Sequence, residues 1–409
     1  MIDSRCNFAL AAAILLGGPV AMLAQSSTSA AALDRQLRAA IERQDVPGLV
    51  VIAGDRKGVV YQGAFGVAEA DKGRAMTVEA IFRIASMTKA VTAVAAMQLI
   101  EEGKLALDDP AAKYLPELAN PLVFESFDAA TGAYQLRPAK SAITVRQLFT
   151  HTSGLGYGFI SAWLNAFKPR QGETYPVGPL LFDPGTQWAY GTSTDQLGKI
   201  VEKVSGQNLE GYFRQRILGP LGMVDTAYNV PAEKQARVVN TFRRGADGAL
   251  AEQPRQTPPP VTRFNGGGGL YSTAADYLRF LQMLLNGGEF GGARILSRES
   301  VASMGQNHIG DVRVRRSKST RPDFSNDFTF IDDGRDKWGL GFLITTAAIP
   351  GKRSPGSLSW GGINNTYFWW DPTHGVAGVV MMQFLPFADA KALGIYDTFE
   401  RGVYGLMGR

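Results

Sequence analysis

The chain has 409 residues, 45% hydrophobic and 19% charged, with a formal net charge of +5. That is material for a large core, and the mild, scattered basic excess argues against a nucleic-acid partner, which needs such charge concentrated on one face. A single cysteine, Cys6, and three widely separated histidines, His151, His308 and His374, argue against disulfides, a cysteine nucleophile, a metal site or any cofactor held by such ligands.

In chain order, Arg5 precedes an apolar run over 8–23, interrupted by Gly17, Gly18 and Pro19, with small and polar residues to Ala32. A basic start, an apolar stretch and a small-residue exit predict an export leader over 1–32, cut between 24 and 32. The mature protein is then periplasmic or extracellular and keeps no membrane span; an uncleaved anchor is the alternative. An amphipathic helix is predicted over 33–44, with Leu37, Ala40 and Ile41 on one stripe. Strands over 49–53 and 58–65 flank the turn Gly54-Asp55-Arg56-Lys57. The helix predicted over 86–102 is apolar on nearly all sides, so it belongs inside the protein, and it stops at Gly103.

Between 107 and 300, helical patterns (193–204, 211–217, 274–286) alternate with Gly/Pro-rich loops. Beyond Trp338 come short strands, 341–345, 357–360, 366–370 and 375–384, and a last helix over 388–407. Strands at both ends with helices between predict an α+β fold in one mature unit, 33–409. A sheet lobe is expected from 33–105 and 335–409, and a mostly helical lobe from 106–334.

The chemistry concentrates at Ser86-Met87-Thr88-Lys89. Positions i and i+3 of a helix share a face, so the Lys89 amine can approach the Ser86 hydroxyl. A serine becomes a nucleophile when a neighbouring base takes its proton, and the head of a helix offers free N–H groups for a developing oxyanion. The bland alternative is a serine N-cap followed by a lysine that snorkels to solvent. His151 invites a Ser–His–Asp reading, but the chain has no G-x-S-x-G elbow, and a structural role at a helix end fits it better. The run Gly266 to Gly269 lacks the Gly-Lys-Ser/Thr of a phosphate loop and reads as a tight turn near the cleft.

Phe82-Arg83-Ile84-Ala85-Ser86-Met87-Thr88-Lys89 strongly resembles the serine β-lactamase and penicillin-binding-protein superfamily, whose Ser-x-x-Lys opens a buried helix. Further segments match in the same order: the stretch Leu148 to Leu155 containing His151-Thr152-Ser153-Gly154, then Pro184-Gly185-Thr186-Gln187-Trp188-Ala189-Tyr190. The glycine run with Tyr271-Ser272-Thr273, and finally Trp360-Gly361-Gly362, complete the set. The resemblance implies a β-lactamase/transpeptidase-like fold, Ser86 as nucleophile, and Lys89 with Tyr190 jointly as base or proton shuttle. It also implies an oxyanion hole from the backbone N–H groups of Ser86 and Ile363.

Two departures bear on substrate. Tyr190 is followed by Gly191-Thr192, where class C β-lactamases have an asparagine, and Trp360 stands where they have the lysine of Lys-Thr-Gly. A tryptophan cannot replace the charge with which that lysine binds a substrate carboxylate, and it makes the wall apolar, which is closest to the family VIII carboxylesterases. The expected activity is hydrolysis of short-chain esters of small molecules, with no metal or organic cofactor. The rivals are a β-lactamase, a DD-peptidase, an amide or D-amino-peptide hydrolase, a transacylase, or a non-catalytic penicillin-sensing or cell-wall-binding protein. Tyr157 and Thr192 are candidate pocket residues; Phe159, Trp163 and Phe167 are aromatic candidates that fit a core role better. The inserts 120–141 and 307–336 are expected near the cleft mouth.

Overall fold

The computed structural model describes residues 18–255, 259–329 and 335–408. The expected leader lies in large part outside these residues. A first helix, α1, spans Gly18–Glu42 and so begins well before the predicted start at 33. No glycine or proline interrupts the chain between 20 and 46, so nothing in the sequence stops the helix earlier. Among the described residues no helix is long and apolar enough to cross a membrane.

The main sheet is drawn from both ends of the chain. Its strands are β1 (Gly48–Asp55), β2 (Val59–Glu69), β3 (Arg74–Ala75), β4 (Lys337–Trp338), β5 (Leu343–Ile344), β6 (Leu358–Gly362), β7 (Thr366–Asp371) and β8 (Val376–Met381). They pair antiparallel in the order β4-β5-β6-β7-β8-β1-β2-β3, with β1 joined to β8 at the centre. The β1–β2 turn forms as its residues demand: the Asp55 carboxylate accepts from the N–H groups of Lys57 and Gly58.

Both faces of the sheet are covered, which explains why β6, β7 and β8 are buried at every position. Successive side chains of β7 point opposite ways. Phe368 meets Tyr277 of the helix Ala274–Leu285, and Trp369 meets Phe399 of the C-terminal helix Ala390–Leu406. Gly378 of β8 lies opposite Trp369, and a Cβ there would sit 2.1 Å from the indole, so the absence of a side chain is what lets the ring lie flat on the strand.

Three elements differ from expectation. The predicted strand 375–384 leaves the sheet after Met381, near where its partner β1 begins, and Phe384–Leu385 pairs in parallel with Phe242–Arg244 instead. The helix Ala274–Leu285, drawn from the middle of the chain, packs on β8 and β1, so 106–334 is not one separate helical lobe. The insert 120–141 holds an antiparallel hairpin, Leu122–Phe127 with Tyr134–Pro138, whose Phe124 gathers Trp163 and Phe167 edge-on. Those two aromatics therefore belong to a satellite cluster and not to the cleft.

Candidate active site

The nucleophile candidate stands at a sharp entry into the central helix. The short strand Phe82–Arg83 pairs with Tyr271–Ser272, and the Ile84 N–H donates to the Leu270 carbonyl. Ala85 then takes φ +45°, a conformation a residue with a Cβ rarely adopts, and a 3₁₀ turn over Ala85–Met87 leads into α2, Thr88–Glu101. The turn is clamped from behind by the third motif. Gly362 of β6 lies so close to the Ile84 carbonyl that a Cβ would sit 2.3 Å from it, and the Thr366 hydroxyl reaches the same oxygen at 3.5 Å. Ser86 does not cap the helix, which removes the bland reading of this serine.

Lys89 does not snorkel: it is 2% exposed. Its ammonium donates to three oxygens, the Gly267 carbonyl at 2.6 Å, the Tyr157 hydroxyl at 3.2 Å and Ser86 Oγ at 3.3 Å, which accounts for all three of its protons. It also lies over the faces of Tyr190 (4.8 Å) and Tyr157 (5.3 Å). The glycine run brings the carbonyl this close. A Cβ on Gly266 would fall 2.5 Å from the Thr194 carbonyl, and one on Gly267 would fall 2.2 Å from Asp195 Oδ1.

Asp195 escaped the sequence reading, because an acidic residue in the first turn of a helix (here Ser193–Ser205) is what the helix dipole ordinarily favours. In the fold its carboxylate is largely buried, accepting from the Gly267 N–H at 2.6 Å and from the Tyr157 hydroxyl at 3.4 Å. Burial raises its pKa, opposed by the Lys89 charge and by these hydrogen bonds. Tyr157, expected only as a pocket residue, thus bridges Lys89 and Asp195. Burial, with Asp195 and Tyr190 beside it, pushes the Tyr157 phenol well above the usual range and keeps it protonated.

Tyr190 is buried beside them, its hydroxyl accepting from the Trp360 indole N–H at 3.4 Å. Trp360 lies on β6, between β5 and β7, in the interior of the sheet. His151 ends the helix Val145–Thr150 with φ +56° and packs against Tyr190, Trp188 and Trp338. Burial, then the Lys89 charge, hold its imidazole neutral with a pKa well below the usual 6.5. It makes no hydrogen bond to Ser86, in keeping with a structural role. His308 pairs with Arg146 and His374 with Asp371, both away from this cluster.

Ser86, Tyr157, Tyr190, Trp360, Gly361 and Ile363 line one pocket of about 120 Å³. Phe159, Phe324, Phe328 and Phe387 complete it. Phe324 and Phe328 come from the insert 307–336, which therefore does reach the cleft. Ser86 and Ile363, whose backbone N–H groups are the expected oxyanion hole, both line this pocket. Thr192, a pocket candidate, is not part of this wall; it precedes the helix Ser193–Ser205, its carbonyl accepting from the Asp195 N–H. Gly362, the last residue of the third motif, is not part of this wall either; it packs against Ile84.

A nucleophile candidate, a buried lysine and two tyrosines at the head of a buried helix, beside a sheet built from both termini, define a serine acyl-transfer centre of the β-lactamase/transpeptidase-like fold. The Beta-lactamase family model matches residues 33–399, and the chain belongs to that family. It is 31% identical over 395 residues to lovastatin esterase of Penicillium rubens, covering 91% of this chain and 98% of that protein. It is 30% identical over 401 residues to monacolin J acid methylbutanoyltransferase of Aspergillus terreus, covering 91% and 95%. The structure of a simvastatin synthase variant from Aspergillus terreus superposes with a TM-score of 0.79 at 28% identity, covering 94% of this chain and 98% of that one. These relatives are esterases and acyltransferases, and the class they share with this chain is that of hydrolases and acyl transferases of this fold.

Proposed function

We propose that the protein is a carboxylic ester hydrolase for small acyl groups, working through an acyl-enzyme on Ser86. The observation that carries this reading is the Lys89 amine 3.3 Å from the Oγ of Ser86, which lines a small aromatic pocket. In the reactive form, with Lys89 and Tyr190 sharing one proton fewer, the pair takes the Ser86 proton as Oγ attacks the ester carbonyl. The N–H groups of Ser86 and Ile363 receive the charge that develops on the carbonyl oxygen. The carbonyl–alkoxy bond then breaks, the leaving alcohol takes the proton back, and water repeats the sequence to release the acid. Tyr157, held protonated, orients Lys89 and is not the base. Trp360, standing where a lysine would bind a carboxylate, disfavours a β-lactam in the acyl pocket.

The test is steady-state turnover of p-nitrophenyl acetate and butyrate beside nitrocefin, for wild type and Ser86→Ala. Ester turnover that vanishes in Ser86→Ala, with little nitrocefin turnover, is the expected result. Fast nitrocefin turnover puts the β-lactamase reading first, and a burst without turnover points to a penicillin sensor.

Acyl transfer to an alcohol is a second reading, favoured by the likeness to a methylbutanoyltransferase. Adding an alcohol acceptor to the butyrate assay separates the two, since a transferase diverts most of the acyl group into new ester. The basic and apolar start of the chain supports export. Sequencing the N-terminus of protein recovered outside the cytoplasm checks it; a chain starting between 25 and 33 is expected, and an intact Met1 speaks for the anchor.

A further inference from the structure

A neutral lysine amine has two protons and one lone pair, and it can take the Ser86 proton only with the lone pair turned to Oγ. Its two protons must then rest on the other two oxygens around it. The Gly267 carbonyl, 2.6 Å from Nζ, can only accept. The Tyr157 hydroxyl, 3.2 Å from Nζ, can accept or donate, and it accepts reliably only while its own proton is engaged elsewhere. Asp195 engages that proton, with Oδ2 3.4 Å from the hydroxyl. The other carboxylate oxygen, Oδ1, accepts from the Gly267 N–H at 2.6 Å. One carboxylate thus holds both of the groups that receive the amine protons. Burial, which favours the neutral acid, is opposed by the Lys89 charge, by these two hydrogen bonds and by Lys199.

We propose that Asp195 is the positioning residue that turns the lone pair of neutral Lys89 toward Ser86, by holding the Tyr157 proton away from the amine. The inference rests on the acyl-enzyme reading. As Ser86 attacks, its proton passes to that lone pair, the bond from Oγ to the carbonyl carbon forms, and the carbonyl π pair moves to oxygen. Asp195 keeps its charge throughout and acts only through Tyr157 and Gly267. It has for a lysine base the part that the carboxylate of a Ser–His–Asp triad has for histidine, fixing which side of the base meets the serine.

The test is a double-mutant cycle on kcat/KM for p-nitrophenyl butyrate. Asp195→Asn leaves an oxygen for the Gly267 N–H but offers Tyr157 an amide donor, which turns the hydroxyl proton onto Lys89. A loss of about 10²-fold is expected. Adding Tyr157→Phe removes the misdirected proton, so the double variant is expected to regain about 10-fold and to match Tyr157→Phe alone. Losses that multiply, or Asp195→Asn at the wild-type rate, overturn the proposal, because a role in packing or net charge does not depend on the Tyr157 hydroxyl. Should Asp195→Asn fail to fold, Asp195→Ala takes its place, since Asn265 Oδ1 also stands 3.4 Å from the Gly267 nitrogen. The same rescue by Tyr157→Phe is expected there, and its absence overturns the proposal. Labelling of Ser86 by a fluorophosphonate, timed by mass spectrometry, reads activation of the nucleophile without ester turnover. Should wild type hydrolyse no ester, the ester-hydrolase reading falls, and the order of labelling rates still decides the role of Asp195; a wild-type Ser86 that does not label overturns both.

Discussion

At the residue scale, Lys89 and Tyr157 make the sharpest predictions. Tyr157→Phe removes one of the three acceptors of the Lys89 ammonium and leaves the ring in place. It is expected to lower kcat for p-nitrophenyl butyrate about 10-fold, the loss characteristic of a mispositioned proton-transfer group. An unchanged kcat would show that the Gly267 carbonyl alone aims the lysine. His151 makes a prediction about stability. Its imidazole is neutral and buried in the fold, whereas in the unfolded chain it takes up a proton near pH 6.5. Its contribution is therefore complete above that pH and is lost as pH falls, by up to about 1.4 kcal/mol per unit. Urea midpoints at pH 7.5 and 5.5 measure the loss, and His151→Gln is expected to shrink the difference between them.

At the element scale, the site depends on backbone brought unusually close. Gly267→Ala would place a methyl group 2.2 Å from the Asp195 carboxylate and displace the carbonyl that holds Lys89. A loss of about 10²-fold in kcat is expected, since such a shift of an ångström is enough to misalign a catalytic group. Circular dichroism is expected to stay native, because the clash is with one movable side chain. The central helix, the β1–β2 hairpin and the strand carrying Trp360 were legible in the sequence, because each has a local period or a turn signature. The exit of the chain at Met381 was not, since Val376 to Leu385 is continuously apolar up to Gln383 and gives no mark of where its partner ends. Nor was the hairpin at 122–138, whose aromatic side chains are explained only by Trp163 and Phe167 arriving from beyond it.

At the scale of the whole molecule, the catalytic face and the stabilising face are opposite sides of one sheet. Phe399, fully buried against Trp369 and Tyr61, lies on the side away from Ser86. Phe399→Ala is expected to cost about 3–5 kcal/mol by leaving a cavity. KM for p-nitrophenyl butyrate should hold at temperatures where the protein stays folded; thermal melts followed beside initial rates check both.

The Ser86–Lys89 pair and the burial of its helix were determined by sequence alone, because both follow from a spacing of three and an apolar surface on every side. The order of the motifs carried the family as well. The rest of the site was decided by tertiary structure. Tyr157, Gly267 and Trp360 meet Lys89 and Tyr190 across 68, 178 and 170 positions of chain, contacts that no local pattern encodes. Asp195 joined them for the same reason: a first-turn carboxylate looks alike in sequence whether the fold leaves it in water or buries it beneath the glycine run.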